Sequence, residues 1–346
     1  MHLARRAWCR TYQTVFRIAL PILPYTEPRI LEHAEDVPAV LQKRSIQRVL
    51  IVTDPGIARL GLTAPLETAL ASKGIGVTVY AETRANPTVS NVEEAASLYR
   101  ESACQAIIGF GGGSAMDCAK GVGARIAQPN KPINKMRGLL RVHRLLPLLI
   151  AVPTTAGTGS EVTLAAVITD DETHYKYPIN DFVLIPRFAV HDPEFTRGLP
   201  ASITGQTGMD ALTHAVEAFI GRSTTPYTRK MARQAVQLIH DNLLEAYEYG
   251  DDMRARRNML SAAGIRRALR LPAPMWDTFT PSRTVWAADT EFRTVWPTRS
   301  SCRTCFAFMV TPPPPCLPIL LAWQALRRLT RRTVLRPRHL SIGSIA

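Results

Sequence analysis

Asp210 and His214 stand four residues apart in TGMDALTHAVEAF (Thr207–Phe219), a stretch with helical spacing. On a helix, positions i and i+4 share one face, so a carboxylate oxygen and an imidazole nitrogen converge. That donor pair suits a borderline divalent metal such as iron(II) or zinc, and it equally makes a plain surface hydrogen bond. A second set of chemical groups lies upstream. Gly111-Gly112-Gly113-Ser114 suits a pyrophosphate, because glycines let backbone N–H groups approach closely and a helix start favours negative charge. PTTAGTGSEVT, from Pro153, can bind a polar ligand with backbone and hydroxyls together. It also reads as a capped helix start, with Thr158 or Ser160 as N-cap. Asp54 follows an apolar strand and could accept hydrogen bonds from a ribose diol while repelling a 2′-phosphate, which favours NAD over NADP. A turn-forming Asp before Pro55-Gly56 is the other reading.

Elements of two kinds must position these groups. β-branched runs at 48–53, 77–80, 106–110 and 148–152 read as buried strands. Helical stretches at 62–72, 91–101 and from Ala115 alternate with them, so a parallel sheet covered on both faces is expected. After about Pro193 the pattern is helical only, at 207–219, 228–244 and 253–263. Residues 1–193 are therefore read as a Rossmann-like, dinucleotide-binding α/β domain. Residues 194–265 are read as part of an all-α, metal-binding domain, and a cleft between the two is a favoured ligand position.

The text changes after about Gly264. From Arg266 to Ala346 there are thirteen Arg, no Lys and three carboxylates, which makes +10 of the formal net charge of +14. Ten of the 26 Pro and four of the five Trp fall there, and Gly343 is the segment's one glycine. The arginines follow neither a helical nor an alternating period, so neither a nucleic-acid patch nor a membrane face is read from them. Arginine without lysine is what GC-rich DNA yields when read out of frame. Residues 266–346 are therefore expected to be an aberrant, disordered tail, the product of a frameshift.

Six cysteines show no disulfide framework, and the lone Cys302–Cys305 CxxC has no second pair to make a zinc site. The basic N-terminus reads as an amphipathic leading helix rather than a transit peptide, since Arg10 and Arg17 interrupt any apolar core. No stretch is apolar enough to span a membrane, and a cytoplasmic location is expected.

Together the motifs resemble the iron-dependent (group III) alcohol dehydrogenase family. Asp54, Asn86-Pro87-Thr88, GGGSAMDCAK from Gly111, PTTAGTGSEVT and TGMDALTHAVEAF occur in the family's order and spacing over roughly residues 20–264. The resemblance implies a dehydroquinate synthase-like architecture, with NAD and iron(II) or zinc as cofactors. Asp54 would read the adenosine ribose. Asn86, Gly112, Gly113, Ser114, Thr154, Thr155, Thr158, Thr163 and Lys176 would line the dinucleotide. Asp210 and His214 would be two of four metal ligands. The reaction implied is hydride transfer between a primary or short secondary alcohol and NAD. The metal would polarise the alcohol oxygen, and the Thr154–Thr158 loop would position the nicotinamide. An alcohol or aldehyde is then the partner, with room for a homo-oligomer and none for nucleic acid or membrane.

The family's other two metal ligands are histidines fourteen residues apart, and after His240 this chain has only His339. Read one base out of frame, codons beginning in Phe279 and Arg293 can encode histidines at that separation, with a third at Arg283. The chain as it stands is thus expected to be inactive or weak, and no catalytic residue is assigned. A glycerol dehydrogenase-like or dehydroquinate synthase-like enzyme is the neighbouring alternative. A non-catalytic nucleotide-binding protein with a basic tail is the distant one.

Overall fold

A computed structural model describes residues 26–220 and 225–264. The leading segment, the Cys302–Cys305 pair and the 266–346 tail lie outside the described residues, together with every expectation placed on them.

Six strands pair in parallel: β1 (Arg29–Leu31), β2 (Arg48–Val52), β3 (Gly76–Tyr80), β4 (Ala106–Gly111), β6 (Leu148–Pro153) and β9 (Phe188–Val190), in the order β1-β9-β6-β4-β2-β3. Ile51 sits in register between Val79 and Ile108. Side chains alternate across the pleat, which divides the apolar residues into two cores. Leu50, Val52 and Ile107 face one side with Val92 and Ala96 of α4 (Val89–Glu101) and Ala119 and Val122 of α5 (Gly113–Ala127). Val49, Ile51, Ile108 and Phe110 face the other. There they meet Val37 and Leu41 of α1 (Val37–Gln42) and Leu66 and Leu70 of α3 (Ala64–Ala71). Burial on both faces explains why these strands read as continuous apolar runs.

A second sheet was not visible in the sequence. β5 (Gly138–Leu139), β7 (Ala165–Thr169) and β8 (Lys176–Asn180) form the order β5-β8-β7, with β7 and β8 antiparallel. Pro178 sits mid-strand opposite Val167, and such a proline argues against a strand in any sequence reading. β1 and β9 are three residues each and offer no period to detect.

Four further corrections concern helix starts. Asp54-Pro55-Gly56 is more than a turn: Asp54 is the N-cap of α2 (Pro55–Arg59), with Pro55 in the first helical turn. The helix after the glycine run begins at Gly113, not Ala115, and the one carrying Asp210 begins at Ala201, not Thr207. Ser160 begins a short 3-10 turn (Ser160–Val162) whose N-cap is Gly159, at φ 59°, rather than a side-chain-capped helix.

From Glu194 the chain is helical: α6 (Glu194–Arg197), α7 (Ala201–Ile220), α8 (Pro226–Glu248) and α9 (Met253–Gly264). Their core is rich in alanine, with Ala211, Ala246, Ala255 and Ala262 around Ile239 and Met259. Gly208 lets α7 approach α8, since a Cβ there would collide with the Leu243 side chain. Buried Arg256 of α9 donates to Gly250 O and to Thr204 Oγ1 on α7, which ties the two helices together. No helix among the described residues is long and apolar enough to cross a membrane.

Candidate functional site

The chain passes from β2 outward to β3, then crosses back to place β4 on the other side of β2. The sheet's connections therefore reverse between β2 and β4, and a crevice opens beyond the C-terminal ends of two such strands. Asp54 follows the end of β2 by two residues, and the Gly111–Gly113 run begins with the last residue of β4 and ends with the first of α5. Asp54 Oδ1 accepts from Gly56 N at 2.9 Å and Ile57 N at 3.0 Å, which is the local, chain-turning role. One oxygen caps the helix. The other, Oδ2, would lie 3.4 Å from a Cβ on Gly111.

Two of the three glycines, Gly111 and Gly113, are needed where they stand. Gly111 has φ +144°, and a Cβ on it would lie 2.9 Å from Ala115 Cβ. A Cβ on Gly113 would lie 2.8 Å from Thr158 Cγ2, and one on Gly112 would lie 3.6 Å from Thr155 Cγ2. The glycine run and the threonine loop are thus in direct contact. The N-cap of α5 is Gly112 and no side chain caps it, so first-turn N–H groups remain available to an anion. Asn86, at φ 61°, donates its backbone N–H to Ser114 Oγ at 3.2 Å and joins the same helix start. Thr154 is buried and its N–H donates to Gly111 O at 3.0 Å. Thr163 is half-buried, with its Oγ1 accepting from Lys120 Nζ at 3.1 Å. Lys176 opens β8 opposite Thr169 and stays exposed.

The threonine loop also touches the metal-type pair's helix. A Cβ on Gly157 would lie 2.6 Å from Thr207 Cβ and 2.7 Å from Thr207 O. Thr207, Asp210 and His214 follow at i, i+3 and i+7, so they share one face of α7. His214 Nε2 lies 3.2 Å from Asp210 Oδ1, and His214 Nδ1 lies 3.9 Å from Glu217 Oε2. The Asp210 and His214 side chains are 45% and 22% exposed. Among the described residues, no three His, Cys, Asp or Glu side chains group as a metal site.

Two arrangements were missed by sequence reasoning. Asp117 and Lys120 were legible in the first turns of the helix after the glycine run, but their partners forty or more residues away were not. His191, after β9, places Nε2 3.7 Å from Oε1 of buried Glu161. A Cβ on Gly264 would lie 2.6 Å from His191 Cε1, so the end of α9 closes over this pair. Nothing in the sequence links these three positions.

Family comparisons bear on the same stretches. The model for the iron-containing alcohol dehydrogenases matches residues 30–193, and that for the C-terminal part of the Fe-containing alcohol dehydrogenase family matches residues 204–266. The chain belongs to the iron-containing alcohol dehydrogenase family. The probable alcohol dehydrogenase EutG of Salmonella typhimurium is 39% identical over 222 residues, 64% of this chain and 56% of that protein. The NAD-dependent methanol dehydrogenase of Bacillus methanolicus is 36% identical over 228 residues, 66% of this chain and 60% of that protein. The chain thus spans little more than half the length of these curated relatives. The solved alcohol dehydrogenase from Oenococcus oeni superposes with a TM-score of 0.68 at 32% identity, over 71% of this chain and 66% of that one. The α/β sheet followed by helices is this family's dehydroquinate synthase-like architecture.

Proposed function

We propose that this family member binds NAD in the crevice between β2 and β4 and supports little or no alcohol oxidation as it stands. The observation that carries the binding reading is the contact of the glycine run with the threonine loop at the sheet's switch point. A dinucleotide fits there: Gly111 and Gly113 leave room that a Cβ would fill, and the uncapped start of α5 can meet a pyrophosphate. Asp54 Oδ2 is the acceptor for the adenosine ribose diol. Gly112, Gly113 and Ser114 hold the phosphates. Asn86, Thr154, Thr155, Thr158, Thr163 and Lys176 line the remainder. When bound, NAD supplies the hydride acceptor, and the loop's task is to orient the nicotinamide and exclude water around it.

The metal does not fit equally well. Asp210 and His214 are two donors where a catalytic metal takes at least three protein ligands and keeps one position open. The substrate class belonging to the family plan is a primary or short secondary alcohol, or the matching aldehyde or ketone. The likeness to NAD-dependent methanol dehydrogenase supports NAD as the cofactor.

The same reading extends to the tail. The C-terminal family match ends at residue 266, where the Arg-rich text begins, and this supports a frame change near that point. Nucleotide sequence across codons 260–310 tests it: an alternative frame carrying the two missing histidines is expected, and an uninterrupted single frame without them refutes it. Titration of the protein with NADH and NADPH tests the binding reading. NADH should bind at least about tenfold tighter, given Asp54 beside the ribose. No NADH binding, or a preference for NADPH, overturns it.

A further inference from the structure

Lys120 is fully buried in the third turn of α5, yet its ammonium meets five oxygens. Its Nζ donates to Ser160 O at 2.7 Å and Oγ at 3.0 Å, to Thr163 O at 2.9 Å and Oγ1 at 3.1 Å, and to Ala165 O at 2.8 Å. Asp117, one turn earlier on the same face, takes the next stretch of chain. Its Oδ1 accepts from Ser160 Oγ at 2.7 Å and its Oδ2 from Val167 N at 3.0 Å. Three main-chain carbonyls and one main-chain amide, spread over residues 160–167, therefore end on two charged side chains.

The residue types follow from the geometry. Carbonyls converging in a dry site need a compact donor with several N–H groups, and a lysine ammonium has three. Charge-assisted bonds of this kind are stronger and stiffer than neutral ones. A buried charge is tolerated only when it is satisfied in this way, so the arrangement has two alternatives, all in place or badly disrupted. The helix that carries the clamp also begins at Gly113, with the phosphate-type site at its N-terminus. One rigid element thus holds both ends of the crevice: α5 offers N–H groups at its start and fixes the exit of the Thr154–Thr163 loop about two turns later.

We propose that Lys120 and Asp117 are positioning residues for the nicotinamide half of the dinucleotide, setting the threonine loop at a fixed distance from the phosphate-binding start of α5. This rests on the NAD-binding reading above. The adenosine half is held by Asp54 and the glycine run, whereas the clamp bonds given above end on residues 160–167. Weakening the clamp should therefore loosen one half of the ligand and spare the other.

The test is calorimetric titration of the full chain with ADP-ribose and with NADH, for the parent and for Lys120→Met, Asp117→Asn and Lys120→Arg. In the parent, both ligands should bind and NADH should bind more tightly. In Lys120→Met and Asp117→Asn, NADH affinity should fall about tenfold or more, towards that of ADP-ribose, while ADP-ribose affinity changes less than about twofold. Lys120→Arg should recover part of the loss. Hydrogen exchange across residues 154–167 should speed up in both weakened variants with α5 unchanged. Should Lys120→Met fail to fold, the milder Asp117→Asn and Lys120→Arg carry the same comparison. Equal losses for both ligands, or none for either, overturn the positioning role. A parent that binds neither ligand overturns the NAD reading itself, and the clamp's assignment with it.

Discussion

The α/β region and the helical region place their chemistry in opposite ways. In the first, the candidate groups for the dinucleotide lie at strand ends, on loops tied to them or at the start of α5, and the central strands of the six-stranded sheet are buried on both faces. In the second, two candidate metal donors sit on a single helix, and the core beneath them is mostly alanine. A ligand site assembled from neighbouring strand ends is complete once its sheet is complete. A metal site assembled from several helices is only as complete as the helices that contribute to it. Alanine also buries less apolar area than leucine or isoleucine, so the helical region gains less from packing.

The largest effect that sharpens this contrast is on stability. Phe110 is fully buried and meets Phe195 edge-on at 4.9 Å between ring centroids. Phe110→Ala should lower unfolding free energy by about 3–5 kcal/mol, and Met259→Ala in the helical core by about 2 kcal/mol. Urea denaturation of both measures the difference, and a Met259→Ala cost equal to or above that of Phe110→Ala breaks the comparison.

Next is binding. Gly113→Val adds atoms where Thr158 Cγ2 already lies 2.8 Å from a built Cβ. NADH affinity should fall about a hundredfold, while His214→Ala leaves it unchanged. Titration of the two variants side by side reads this.

The sequence was most informative where a run of residues does one thing. Leu50, Ile51, Ile107 and Ile108 announced buried strands because a sheet covered on both faces needs apolar side chains at successive positions. Gly111 and Gly113 announced a close approach because a side chain at either would collide with Ala115 or Thr158. β8 escaped notice because Pro178 interrupts it, and β1 and β9 because three residues carry no period. Lys120 and His191 escaped because their partners come from distant chain, and spacing within a helix says nothing of that. Asp210 and His214 were legible as a pair, and a pair is what α7 presents.

A pH effect separates the regions further. Burial pushes the Cys118 thiol up to about 12, and it pushes Tyr99 and Tyr177 up to about 12 from 10. Tyr80 is raised as well, by burial and by its hydrogen bond to Glu94. All four lie in the α/β region. Folding keeps these groups protonated, while the unfolded chain releases its protons at lower pH. Their stabilising contribution is full below pH about 9 and is lost as pH rises towards 12. Urea midpoints should therefore fall steadily between pH 9 and 11, and a flat profile contradicts the burial argument. The smallest effect belongs to the exposed helix pair. His214→Ala should change stability by less than about 0.5 kcal/mol, as for other i,i+4 pairs at a helix surface.

The most direct measurement is turnover by the purified full chain with NAD, a panel of short primary and secondary alcohols, and added iron(II) or zinc, with NADH binding measured on the same sample. The account predicts NADH bound and no metal-dependent formation of NADH from any alcohol. Alcohol oxidation that appears on adding metal and disappears in Asp210→Ala would contradict it.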